Sequence, residues 1–304
     1  MAPSIAPAKI LVPVTGPMIL GFMWSYMLYG GLVVQIYMYT EAFPTDRRGL
    51  KILVWVVLFF ETCFTALMTV AAWNMFGSGW GQLDVLLQLN WSWGFLPFVS
   101  GILSTLAQGF YTWRIWHLTK QFWWPVPIIL TILAQYVALF WFGIQASDFK
   151  GVWNIAGLYT SVFPQNPEGI GSWLAAIAFS DVLITIALTS HFWRCKQKTK
   201  FAGTTGMLNR LIRLSIETGA LTSIPAIVDV ILCIGFFSYN ITVFLVLGKL
   251  YSNVLMATLN GRMSSGPSRG GDVSVQTVFW GELIDMAPDV PVHVHVNEVK
   301  DESQ

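Results

Sequence analysis

The sequence predicts an all-α membrane protein, a seven-transmembrane helix bundle with its N-terminus outside and its C-terminus cytoplasmic. Three observations carry the prediction. Seven blocks stay apolar for roughly 20 residues, the length a helix needs to cross a hydrocarbon core that offers no water to an open backbone. The 304 residues are 55% hydrophobic and 15% aromatic but only 11% charged, with a mean hydropathy of +0.60, a balance that excludes an ordinary soluble domain. Lysine and arginine, finally, collect on one side of the blocks.

Residues 1–15 read as a short extracellular segment and 16–262 as the membrane domain. Span one, Pro17 to Tyr39, carries Gly21, Gly30 and Gly31, small residues that admit close helix packing. It lacks a small-residue cleavage site and is expected to remain as an anchor. Span two, Ile52 to Phe76, contains Glu61; span three, Gly94 to Trp113, contains Gln108; span four, Trp124 to Gln145, contains Gln135. Span five, Ser172 to Trp193, holds Asp181. Span six, Leu214 to Phe237, holds Glu217 and Asp229, with Pro225 between them as the expected kink. Span seven, Ile241 to Gly261, holds Lys249, Tyr251 and Asn253. The hairpin Ser238 to Asn240 is short enough to force spans six and seven to be antiparallel neighbours.

The loop Ala146 to Gly171 carries Trp153, Tyr159 and Phe163, and either folds over the outer mouth or lies in the aromatic belt of the interface. Beyond Arg262 the chain turns to serine and glycine, so residues 263–304 are expected to form a mostly disordered cytoplasmic tail. In that tail His293 and His295 share one face of a strand-like alternation, too few ligands to define a metal site. No internal repeat or inverted pair of broken helices is evident.

Cytoplasmic connections carry the excess of lysine and arginine. Fourteen of the seventeen cations lie in the first, third and fifth connections and the tail. The fifth connection alone holds Arg194, Lys196, Lys198, Lys200, Arg210 and Arg213. This basic segment is expected to meet a cytoplasmic partner or anionic lipid, where each cation gains about 1 kcal/mol. Only Lys9 and Lys150 face outward, and Lys249 lies within a span. With a net charge of +1 and no free-standing basic domain, nucleic acid is excluded as a partner.

Cys63 and Cys233 lie in spans and Cys195 at a cytoplasmic helix end, so neither a disulfide framework nor a zinc site is expected. Cys195, beside a basic run, is a palmitoylation candidate or a plain thiol. Asn90-Trp91-Ser92 and Asn240-Ile241-Thr242 match the glycosylation pattern but hug the membrane, and unmodified asparagines are expected. His117 and His191 sit at cytoplasmic helix ends, where they complement the helix dipole. With no HExxH, nucleophile elbow or phosphate-binding loop, no catalytic residue, metal or cofactor is expected.

An ionisable group at the centre of a span costs about 3 kcal/mol to insert, so each needs a partner or a hydrated cavity. Glu61 and Asp181 fall near the midplane, Glu217 in the first turn of span six, and Asp229 and Lys249 in the outer halves of spans six and seven. A hairpin centred near Tyr239 brings Asp229 and Lys249 to equal depth. They are expected to form an ion pair, provided the helix rotations turn them together. A seventh-helix lysine near a carboxylate also resembles retinal proteins, whose amine forms a Schiff base. Gln35, Gln108 and Gln135 are expected to bond between helices.

The run Leu208 to Gly219, followed by Leu221-Thr222-Ser223, resembles the start of helix six in a basidiomycete family of seven-helix integral membrane proteins bearing a domain of unknown function. Lys249-Leu250-Tyr251-Ser252-Asn253 with Leu259-Asn260-Gly261-Arg262 resembles that family's closing helix, and Gln108, Phe110, Arg114, Ile115 and Trp116 its third-helix end. The likeness implies a fungal membrane protein and polar family-like positions at Arg213, Glu217, Lys249, Tyr251, Asn253, Asn260 and Arg262, with no ligand or activity attached. By topology the chain also resembles a G-protein-coupled receptor, but it lacks Asp-Arg-Tyr after span three and Asn-Pro-x-x-Tyr in span seven.

The expected function is receptor-like sensing of a small or lipidic ligand, in the plasma membrane. The alternative is a proton-coupled or solute transporter using the midplane carboxylates Glu61 and Asp181, and a third reading is retinal binding through Lys249.

Overall fold

The computed structural model describes residues 8–80, 88–89, 91–147, 153–154, 168–198, 202–235 and 237–261. They contain seven α-helices: α1 (Ala8–Ala42), α2 (Arg48–Ala72), α3 (Trp91–Thr119), α4 (Pro125–Ser147), α5 (Glu168–Lys198), α6 (Ala202–Gly235) and α7 (Phe237–Asn260). A π-helical turn, Trp73–Ser78, prolongs α2. Two-residue strands β1 (Gln88–Leu89) and β2 (Trp153–Asn154) pair antiparallel, with Leu89 opposite Trp153. That ladder ties the loop after α4 to the loop after α2. Lys150, Tyr159, Phe163, Lys200 and the tail with His293 and His295 lie outside the described residues.

Among the described residues, five helical stretches are long and apolar enough to cross a membrane: Thr15–Ala42, Arg48–Ser78, Gly171–Gln197, Leu211–Gly235 and Tyr239–Asn260. The chain is a multi-pass membrane protein. Of the other two helices, α4 offers the shorter apolar run Pro125–Trp141, and α3 buries Ser92, Ser100, Ser104, Gln108, Thr112 and Arg114, a polar face that lowers its hydropathy.

The burial pattern is inside-out. Along α6 the buried stripe reads Leu211, Ser215, Thr218, Thr222, Ala226, Asp229 and Cys233, steps of three and four residues that mark one helix face. The opposite face exposes Leu221, Ile224, Ile231 and Ile234. In water such a helix would turn over, because its apolar face would gain burial and its hydroxyls hydration. In lipid the apolar face is already in a favourable solvent, and the polar groups are driven inward to find partners.

The helices follow the chain around a ring that α1 closes by packing along α7, and α3 reaches α5 and α7 as well as its sequence neighbours. Helices α1 and α7 run parallel in constant register. Thr242 donates to the Pro17 carbonyl at 2.6 Å, Asn253 to that of Leu28 at 3.1 Å and Asn260 to that of Gln35 at 2.8 Å, each pair 225 residues apart. These rungs are 11 and 7 residues apart, close to three and two helical turns. Gly21 permits the approach, since a Cβ there would lie 3.0 Å from the Thr242 Cα. Gly30 has no such role, with nothing within 4 Å of its hypothetical Cβ.

Two expectations about element ends need correction. The fifth connection is largely helix: Arg194, Lys196 and Lys198 lie on α5 and Arg210 and Arg213 on α6, with only residues 199–201 between the two helices. Helix α6 therefore begins well before Leu214 and runs unbroken through Pro225. Helix α6 ends at Gly235 and α7 begins at Phe237, so the boundary between them comes about three residues earlier than expected.

Candidate functional site

Asp181 of α5 collects a buried polar network. Gln108 of α3 donates to its Oδ1 at 3.2 Å, and the Tyr251 hydroxyl of α7 donates to Oδ2 at 2.5 Å. Behind Gln108, the Gln135 amide of α4 donates to Gln108 Oε1 at 3.1 Å and to Ser180 Oγ at 2.9 Å, and Ser180 donates to Thr131 Oγ1 at 2.6 Å. Thr222 of α6 lies beside them, with its hydroxyl donated to the Gly219 carbonyl at 3.2 Å. Four helices, α3, α4, α5 and α7, are thus joined through one carboxyl group whose partners are neutral, and Gln108, Gln135, Ser180, Asp181 and Tyr251 are all buried. In a low-dielectric interior such a network holds only while every member is satisfied.

Against the network lies a cavity of about 20 Å³ lined by the polar residues Gln108, Tyr111, Asp181, Thr185, Ser215, Thr218, Thr222 and Tyr251 together with Ile184, Leu188 and Gly219. One water needs about 10–15 Å³, so the space suits a water or small ion rather than an organic ligand.

Lys249 is the clearest correction. Its partner is Glu61, not Asp229: Nζ lies 2.5 Å from Glu61 Oε2, with both side chains 0% exposed. The ammonium also donates to Thr65 Oγ1 at 2.6 Å and to the Glu61 carbonyl at 3.1 Å, and sits 4.7 Å from the Tyr29 ring centre and 5.2 Å from that of Phe64. The early turn explains the change. With the hairpin centred near residue 236, Asp229 is level with residue 243, and Lys249 lies six residues, about 9 Å, farther from the turn. Lys249 is instead central in Tyr239–Asn260, as Glu61 is in Arg48–Ser78, so the two meet at similar depth. Glu61 belongs to the buried stripe Val54, Val57, Glu61, Phe64 and Met68 that α2 turns inward.

Asp229 makes a local bond instead. Asn240 Nδ2 donates to its Oδ1 at 2.7 Å and to its carbonyl at 3.1 Å, clasping the start of α7 to the end of α6. With that amide engaged and only 5% of the residue exposed, Asn240 is closed to glycosylation in the folded chain.

Lys249, Tyr251 and Asn253 thus face three neighbours from little more than one turn of α7. Lys249 reaches α2, Tyr251 reaches α5 and Asn253 reaches α1. Positions 249 and 251 are about 200° apart around the helix, whereas 249 and 253 share a side. Glu217 does not join them: it lies sixteen positions into α6, on the exposed face, paired with Arg213 at 2.7 Å.

At the same end of the bundle, Arg194 and Arg213 are exposed and Lys196 lies over the Trp193 ring at 5.5 Å. Arg114, in the third cytoplasmic connection by the sequence reading, is buried at the end of α3 with its guanidinium 5.7 Å from the Phe192 ring centre. Cys63, Cys195 and Cys233 are thiols, and Cys195 Sγ lies 3.5 Å from His191 Nε2. Partial burial, with Lys120 and Arg47 nearby, holds His117 below the usual imidazole range. Of the three glutamines, Gln108 and Gln135 bond between helices as expected, whereas Gln35 takes part through its carbonyl.

Sequence reading missed the partners. Thr65, Asn240, Ser180 and Thr131 are common residue types whose roles follow from helix rotation. One signal was present in the sequence: Ser215, Thr218, Thr222 and Asp229 recur at heptad-like spacing and so mark the inner face of α6.

A family model described as a family of unknown function (DUF6534) matches residues 177–264. The match takes in Asp181, the basic ends of α5 and α6, Asp229, Lys249 and Tyr251, and stops short of Glu61, Gln108 and Gln135. No curated protein matches the chain, and no solved structure matches it.

Proposed function

We propose that this multi-pass membrane protein is receptor-like, spanning the plasma membrane of a fungal cell seven times with its N-terminus outside, and that a small or lipidic ligand acts by shifting helices joined at Asp181. The carrying observation is the network from Thr131 to Tyr251, which links α3, α4, α5 and α7 through one carboxyl group. Buried networks of this kind have few satisfied arrangements, so a shift at one helix is passed to the others as a discrete change. Helices α5 and α6, of 31 and 34 residues, extend from that core to Arg194, Lys196 and Arg213. A change at Asp181 is thereby read as a displacement of basic groups facing a cytoplasmic partner or anionic lipid. Counting α3 and α4 as the remaining spans is supported by their place in the ring, between α2 and α5.

Proximity labelling from a C-terminal fusion in intact cells tests this reading. Cytoplasmic neighbours of the wild type are expected to disappear when Arg194, Lys196, Lys198, Lys200, Arg210 and Arg213 are replaced by glutamine, and to change in Asp181→Asn. An identical set of neighbours in all three proteins refutes the receptor reading.

The cavity beside Asp181 favours one second reading, a proton-coupled carrier. It predicts proton or solute flux in vesicles that Asp181→Asn abolishes and the Glu61→Leu/Lys249→Met double variant retains, because Glu61 is committed to Lys249. Retinal binding draws no such support, since the Lys249 amine is enclosed and already holds Glu61 and Thr65. Added retinal is expected to produce no visible band that Lys249→Arg removes.

A further inference from the structure

We propose that the cavity beside Asp181 is a binding site for a dehydrated monovalent cation, of sodium size, held by the Asp181 carboxylate and hydroxyl oxygens of α5 and α6. The cavity is water-sized, about 20 Å³. Hard cations are held by oxygen ligands, and in a low-dielectric interior a carboxylate compensates the charge of a monovalent one. Both are present.

The charge is Asp181, which has no cationic side chain as ion-pair partner among the described residues; Tyr251 and Gln108, both neutral, bond its two oxygens. A buried carboxylate of this kind is costly unless paired, and Glu61, which is paired, shows the alternative solution in the same bundle.

The oxygens are oriented by their own hydrogen bonds. Thr185 donates its hydroxyl proton to the Asp181 carbonyl at 2.8 Å, and Thr218 donates to the Leu214 carbonyl at 2.7 Å. Each hydroxyl has one proton and two lone pairs, so both present acceptors, not donors, to the space they line. Ser215 Oγ lines the same cavity, is buried, and has no hydrogen-bond partner among the described residues. A lone buried hydroxyl signals a missing partner. Two threonine oxygens that can only accept, beside one carboxylate, favour a cation and disfavour an anion. Gly219 contributes by absence: a Cβ there would overlap Thr185 and close α5 and α6 differently.

The site includes the network assigned to signal transmission, but its test reads binding to the purified protein and not partner recruitment, so the two proposals fail separately. Thermal unfolding of the full chain in detergent is measured in sodium chloride against N-methylglucamine chloride at equal ionic strength. Binding of radioactive sodium is followed in parallel. Sodium is expected to raise the unfolding midpoint saturably, and Asp181→Asn to abolish both signals. Should Asp181→Asn fail to fold, Ser215→Ala and Thr218→Val serve instead, each weakening sodium binding about five-fold, the equivalent of one lost polar contact. An equal midpoint in the two salts, as expected if the space holds only water or Asp181 only a proton, overturns the proposal. So does an unchanged sodium affinity in Ser215→Ala and Thr218→Val together.

Discussion

At the scale of single residues, the choice of partner for Lys249 has the largest energetic consequence. Removing one member of a buried ion pair leaves an uncompensated charge and costs about 3–5 kcal/mol, whereas replacing both by apolar groups is often neutral. Lys249→Met is therefore expected to destabilise the protein strongly, and the Glu61→Leu/Lys249→Met double variant to recover most of the loss. Asp229→Asn is expected to show no coupling to Lys249→Met, since Asp229 is held by Asn240. Detergent unfolding curves for the full mutant cycle decide the matter; coupling with Asp229 in place of Glu61 would contradict the geometry. That both Glu61 and Lys249 need partners was legible from their place in apolar spans. Which partner each takes was not, because a three-residue change in the hairpin alters relative depth by about 9 Å and no local pattern reports helix rotation.

At the scale of elements, the contact between α5 and α6 depends on a missing side chain. A Cβ at Gly219 would overlap the Thr185 side chain, while one at Gly30 would meet nothing within 4 Å. Gly219→Val is expected to cost about 1–3 kcal/mol through overpacking, with partial rescue by Thr185→Ala, and Gly30→Val to be tolerated; size-exclusion profiles of the expressed variants provide the measurement. Comparable losses at both positions would show that helix propensity, not interhelical contact, controls stability. Span one could be read as a place for close packing, but sequence ranks Gly21, Gly30 and Gly31 equally, and only the register of α1 on α7 singles out Gly21. The fifth connection shows the converse limit. Its charges suggested a loop, yet α5 and α6 continue as helix because the backbone bonds that hold a helix do not require apolar side chains.

At the scale of the whole molecule, orientation is the property most open to test. A tag after Arg262 is expected to be reachable only in permeabilised cells and a tag before Pro17 in intact ones, since most lysines and arginines lie on the tail side; the reverse labelling would overturn both the orientation and the placing of the basic ends of α5 and α6. The sequence by itself determined that the chain is a multi-pass membrane protein and that its inward charges need neutral or opposite partners, because hydropathy and the cost of burying charge are properties of composition along the chain. The tertiary structure alone decided that Lys249 meets Glu61, that Asp229 meets Asn240 and that Asp181 joins four helices beside a water-sized cavity. Those pairings depend on the rotation and depth of each helix, which are set by side chains far away in sequence.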